Sequence, residues 1–272
     1  MQYVVKDSLI TMSNALTRAG HTLTLAEKRI VMLAVSKLNP LKPAPGAALC
    51  TRITATEYAE TFDVDMDTAY RQLQTAAKHL YNRSIMFFEP AHKRNGKPIK
   101  PARSVMRWVG RATYHEGEAW IELAWWHEIL PHLMGIKKQF TEYQLKQVTA
   151  LRSIHSWRLL ELLMRFKSTG WAEYTIEDFA TSMEATEKQR MNFNNIKRRI
   201  IEPAVKELTE KDGWQIEWYP IKAGRKVKAV RFEFSRPKDE RVFKNLDWID
   251  EDISNTTAPV NNPTKNPEAL KK

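Results

Sequence analysis

The stretch "TATEYAETFDVDMDTAYRQLQTAAKHL", residues 54–80, decides the fold. Thr54, with Glu57 three residues on, can satisfy the free backbone N–H groups at the start of a short helix that ends near Phe62. "DVD" breaks that helix, and a second one starts with Asp65 or Asp67 as its N-cap. Tyr70, Leu73, Ala77 and Leu80 form its inward face. Two short helices joined by a tight turn are a helix-turn-helix.

The flanks extend this unit. Upstream, "TLAEKRIVMLAVSKL", residues 24–38, has a Thr24/Glu27 capping box and a stripe of Ile30, Leu33, Ala34 and Leu38. "NPLKPAPG" stops it, because proline cannot donate and disfavours the α region before it. "LCTRI" reads as a short strand. Downstream, "SIMFFEP" (84–90) and "SVMRWVGRATYH" (104–115) read as the strands of a hairpin, with "AWIELAW" (119–125) as a third strand. Helix, strand, helix-turn-helix and hairpin, in that order, are a winged helix.

The second half repeats the plan. "LRSIHSWRLLELLMRFK", 151–167, is apolar almost all round and reads as a core helix. "TIEDFATSM" from Thr175 aligns with "TATEYAETF" from Thr54: Thr with Thr, Asp178 with Glu57, Phe179 with Tyr58, Ala180 with Ala59, Met183 with Phe62. This points to an internal duplication. The strands "WQIEWYPI" and "VKAVRFEF" follow, joined by "KAGRK". The expected fold class is therefore α+β: two tandem winged-helix domains, residues 1–135 and 136–237, and an acidic and polar tail, 238–272, that is largely disordered.

"FNNIKRRII", residues 193–201, shows where charge is displayed. On one helix over 193–208, Phe193, Ile196, Ile200, Ala204 and Leu208 face inward. Asn195, Arg198 and Glu202 point outward, flanked by Asn194, Lys197 and Arg199, with Arg190 just ahead. In a helix-turn-helix this ridge enters a major groove, where Arg pairs with guanine and Asn with adenine. Pro203 either bends this helix or divides it into two. Both hairpin tips are cationic: Lys93, Arg94, Lys97, Lys100 and Arg103 in the first, Lys222, Arg225, Lys226 and Lys228 in the second. Such cations suit phosphate contacts. Thr68, Arg71, Gln74, Thr75 and Lys78 offer a second reading surface.

The bulk numbers agree. The chain has 272 residues, 43% hydrophobic, and a net charge of +11, which attracts polyanions. One cysteine, Cys50, excludes an internal disulfide and a cysteine-built zinc site, and reads as a strand residue. No apolar run reaches a membrane span and no leader pattern opens the chain, so a cytoplasmic, nucleoid- or plasmid-associated location is expected. "HEILPH" is one residue too long for a zinc-binding H-E-x-x-H, and "DVDMD" lacks the glycine and distal glutamate of a calcium loop. With no P-loop, no catalytic constellation and no cofactor motif, a non-enzymatic protein is expected. Most of the nine tryptophans sit in packing patterns.

Five segments together resemble the iteron-binding plasmid replication initiators: "NALTRA…LTLAEKRIVMLAVSKL", "YAETFDVDMDTAYRQLQTAAKHLY", "SWRLLELLMRFKSTG", "NIKRRIIEPAVKEL" and "GRKVKAVRFEF". The resemblance spans roughly residues 8–236. It implies a protein that binds direct repeats in origin DNA as a monomer and represses its own promoter, at an inverted repeat, as a dimer. It further implies recruitment of the host replication initiator and replicative helicase. Base reading would fall on 190–199 and a backbone grip on Arg225, with dimerisation and further DNA contacts in the first domain. A winged-helix transcriptional regulator, a rolling-circle nickase and an RNA-binding protein are the competing readings.

Overall fold

The computed structural model describes the backbone of residues 5–88, 92–94, 97–99 and 102–236, and side chains within 6–88 and 102–236. The expected disordered tail, 238–272, and the side chains of Lys93, Arg94, Lys97 and Lys100 lie outside the described residues.

The chain begins with β1 (Leu9–Ser13), α1 (Asn14–Arg18) and α2 (Leu25–Val35). The capping box of α2 is formed: the Thr24 hydroxyl accepts from the Glu27 N–H, and the Glu27 carboxylate accepts from the Thr24 N–H at 2.8 Å. β2 (Cys50–Thr54) then leads into α3 (Ala55–Phe62), and Asp63 ends that helix in the left-handed region at φ 51°. α4 (Met66–His79) starts at Asp65, whose carboxylate accepts from the Thr68 N–H. Tyr70, expected inward, is exposed. The buried stripe is Ala69, Leu73, Ala76 and Leu80, and its two small side chains let α4 lie close to α2 and α3.

The expected hairpin forms in part: residues 84–88 pair with 103–107, but 109–115 turn to a different partner. β3 (Ser84–Phe88), β4 (His92–Arg94), β5 (Lys97–Ile99) and β6 (Arg103–Arg107) form an inserted arm, in which β3 pairs with β6 and β4 with β5. β7 (Val109–His115) and β8 (Trp120–Trp125) instead join β2, in the order β2-β8-β7. The stretch read as one strand, 104–115, thus divides at Trp108 and serves two sheets. Trp108 is fully buried, stands edge-on to His21 at 5.0 Å, and donates its indole N–H to the His21 carbonyl. Burying this large ring fixes the crossover point. The wing of the first sheet is accordingly β7–β8, not the basic arm.

β9 (Phe140–Gln144) returns to pair with β1, and α5 (Lys146–Thr149) leads to α6 (Ile154–Met164), buried on nearly all sides. The second module follows with β10 (Trp171–Thr175), α7 (Ile176–Ser182), α8 (Glu187–Arg190) and α9 (Phe193–Ile196). A π-helical turn, Lys197–Ile201, α10 (Glu202–Asp212), β11 (Gln215–Ala223) and β12 (Lys226–Ser235) complete it, with sheet order β10-β12-β11. The two halves match in detail. Thr175 caps α7 by accepting from the Asp178 N–H, as Thr54 caps α3 through Glu57, and the aligned pairs Tyr58/Phe179, Ala59/Ala180 and Phe62/Met183 are all buried.

A buried ionic knot on α6 joins the modules. Glu161 takes Lys28 Nζ at 2.7 Å on one oxygen and Arg158 Nη1 at 2.7 Å on the other, and also accepts from the Tyr143 hydroxyl. Arg158 donates further to the carbonyls of Thr17 and Ala19, before α2, and of Ser182, at the end of α7. Burial drives the Lys28 amine down to about 8, against the pull of Glu161. Burial also pushes the Glu161 carboxyl up, but the charges of Lys28 and Arg158 outweigh it and hold the group below the usual range. Beside them His21 places Nε2 2.7 Å from the Leu16 carbonyl, which can only accept, so Nε2 carries the proton. Nδ1 is left to accept from Lys28 and Arg158, each at 3.2 Å. Burial, then the adjacent cations, keep this ring neutral, with its pKa well below 6.5.

Two outcomes follow. Glu161→Ala strands two buried cations and should cost ~3–5 kcal/mol in urea unfolding. An unfolded histidine titrates near pH ~6.5, so below that pH the unfolded chain takes up a proton that folded His21 refuses. Stability from this group is complete above about pH 6.5 and falls by up to ~1.4 kcal/mol per pH unit as pH drops toward the folded-state value. His21→Gln should flatten that slope.

Candidate nucleic-acid interface

The second module displays the cations on a rigid support. Asn192 caps α9 by accepting from the Asn195 N–H at 2.9 Å, and the Asn195 amide donates to the Lys188 carbonyl at 2.8 Å, tying α9 back to α8. An α-helical register would need the N–H of residue 203 for the Arg199 carbonyl, and Pro203 has none. The chain instead takes a wide turn in which the Glu202 N–H reaches the Lys197 carbonyl, and α10 starts with Pro203 in its first turn. The helix thus runs on through Pro203 by widening one turn, and does not divide into two. Ile196, Ile200 and Ile201 are all buried, while Asn194, Arg198 and Arg199 are exposed. Among the described residues no side chain pairs with Arg198 or Arg199.

Other predicted residues are partly engaged. Lys197 leans toward β11, with Nζ 3.6 Å from Glu202 and 5.8 Å from the Trp218 ring centre. Arg190 is a brace: its guanidinium donates to the carbonyls of Ala185 and Ala180 and to the Thr181 hydroxyl. Burial draws its pKa down. The second wing turns tightly, with Gly224 at φ +61° as the first central residue of a two-residue hairpin. Lys222, Arg225, Lys226 and Lys228 are exposed around that tip, and Lys228 sits at a register shift in the β11–β12 ladder, a bulge that re-aims its side chain.

The first module differs. Arg71 and Lys78 are exposed on α4, Thr68 and Gln74 are half-buried, and the Gln74 amide donates to Glu116 at 3.0 Å. Glu116 belongs to the tip of the β7–β8 wing, "HEGEA", so this wing is acidic where the second is basic. An open cleft of about 600 Å³ lies between wing and helix, lined by Gln74, Lys78, Tyr114, His115 and Glu116 among others. The structure therefore brings together Asn194, Asn195, Arg198 and Arg199 on one segment. It separates the basic arm from the first wing. Sequence reasoning passed over Met191, whose exposure inside the reading segment was legible only once the break between α8 and α9 was known.

Among the described residues, no group of three or more His, Cys, Asp or Glu side chains is placed to hold a metal, and no helix is long and apolar enough to cross a membrane. Two helix-turn-helix units, each finished by a β-hairpin wing, define a tandem winged-helix protein. Residues 9–164 match the Initiator Replication protein WH1 domain and residues 175–234 the Initiator Rep protein WH2 domain. The chain belongs to this replication-initiator family, which is one of DNA-binding proteins and not of known enzymes. It is similar to an uncharacterized 27.6 kDa protein of Escherichia coli, at 26% identity over 74% of this chain and 85% of that protein. A replication initiation protein of Escherichia coli is 24% identical over 75% of this chain and 63% of that protein. The Pi initiator protein, solved in complex with iteron DNA, matches with a TM-score of 0.69 at 20% identity, over 86% of this chain and 99% of that one, which establishes the fold.

Arg190→Ala should lower stability by ~1–2 kcal/mol by removing bonds to buried carbonyls. Arg198→Ala and Arg199→Ala should leave the urea midpoint unchanged.

Proposed function

We propose that the chain initiates replication by binding direct repeats in duplex DNA. In this reading the segment 190–199 lies in a major groove, and the wing cations Lys222, Arg225, Lys226 and Lys228 hold the flanking backbone. The observation that carries it is the pair Arg198 and Arg199, exposed and without a side-chain partner among the described residues, on a turn whose other side is fully buried. Cations that hold no ion pair among the described residues have none to break on meeting bases or phosphates, and the planar arginine fork loses less freedom per hydrogen bond formed than a lysine does. Similarity to a protein that binds iteron DNA favours repeats as the target. The exposed face of α4, with Arg71 and Lys78, would read a second groove more weakly. Its acidic wing does not suit a phosphate grip, which falls instead to the inserted arm bearing Lys93, Arg94, Lys97 and Lys100. Self-association through the first module, repression at an inverted repeat and engagement of the host initiator and helicase belong to the same proposal.

Footprinting the parent replicon's intergenic DNA tests it: regularly spaced direct repeats support initiation, and a lone palindrome favours a transcriptional regulator. Arg198→Ala should cost ~1–3 kcal/mol at the cognate site and relax base preference at one position. Lys226→Ala should weaken all sites alike and reduce the salt slope by ~1. Uniform loss in both variants would contradict this division of labour.

A further inference from the structure

Met191 is the most exposed large apolar side chain among the described residues, at 79%. A single exposed apolar residue is ordinary on a protein surface. This one differs in how it is held. On its N-terminal side α8 is fixed by a Thr186–Gln189 capping box and by the Arg190 guanidinium on two carbonyls and a hydroxyl. On its other side Asn192 caps α9, and Asn195 bridges back to the Lys188 carbonyl. The loop is braced on both flanks, yet its apolar side chain is left in solvent. It also lies at the N-terminal end of the reading segment, the end that meets base edges in a helix-turn-helix.

Polar ridge residues read hydrogen-bonding edges, but the thymine C5-methyl group offers none and is read only by apolar contact. We propose that Met191 is a specificity-determining residue that packs against a thymine methyl in the major groove. The inference rests on the reading of the 190–199 segment as the base-contacting one. The flexible, polarizable thioether suits such a contact, since it can follow a methyl surface without strict geometry.

The test uses the full chain. Bound duplexes selected from a randomised library supply the probe, and each thymine in the selected site is then replaced singly by deoxyuridine, which removes only the methyl. Wild type should lose roughly fourfold in affinity at one or two thymines, the worth of one buried methyl-sized group. Met191→Ala should lose about as much on the unmodified site and become indifferent to those same thymines, while its response at the others stays that of wild type. Met191→Leu should restore the sensitivity. Wild-type affinity in Met191→Ala, or an unchanged thymine profile, overturns this contact alone. Failure to select any preferred sequence overturns the base-reading role of Arg198 together with it.

Discussion

Arg158 donates to the carbonyls of Thr17, Ala19 and Ser182 while sharing Glu161 with Lys28, all out of contact with water. Buried charges are tolerable only when every donor and acceptor is met, and a partly satisfied network would be worse than an apolar core. The three carbonyls come from the chain before α2 and from the end of α7. One guanidinium thus fixes where the second module begins relative to the N-terminal segment. Gly20 belongs to the same junction: its N–H and carbonyl both pair with Met86, and a side chain there would meet the Thr181 carbonyl at 3.5 Å.

Upon this frame the modules share a skeleton and differ in charge. Both start from a threonine-capped helix over a buried aromatic, and both end in a hairpin. One hairpin tip carries Glu116 and Glu118, and the other carries Arg225 and Lys226. A polyanion meets repulsion at the first tip and attraction at the second, which ranks the two modules electrostatically before any base is read.

The helix-turn-helix of 54–80, both threonine caps and the strand pair around "KAGRK" were legible because caps, breakers and periodicity are local signals. The division of 104–115 was not, since alternation runs through Trp108 unbroken and the change of sheet is decided by tertiary packing. The burial of Lys28, Arg29, Arg158 and Glu161 was hidden for a related reason: on a helical wheel a charged residue reads as solvent-facing unless its partners are known. At the candidate interface, the outward Arg198 and Arg199 followed from the apolar stripe. The anchoring of Arg190 and the wide turn ahead of Pro203 depended on contacts no spacing rule supplies.

The wide turn between Ile196 and Glu202 separates two phases of one continuous rod. Residues ahead of it take their rotation from the Asn192 cap, and those beyond it take theirs from the packing of α10 on α6. A widened turn of this kind uncouples the helical phase of the two sections. Side chains on the forward section can be exchanged over generations without re-phasing the anchoring section, so a new target preference can evolve while the scaffold is left intact.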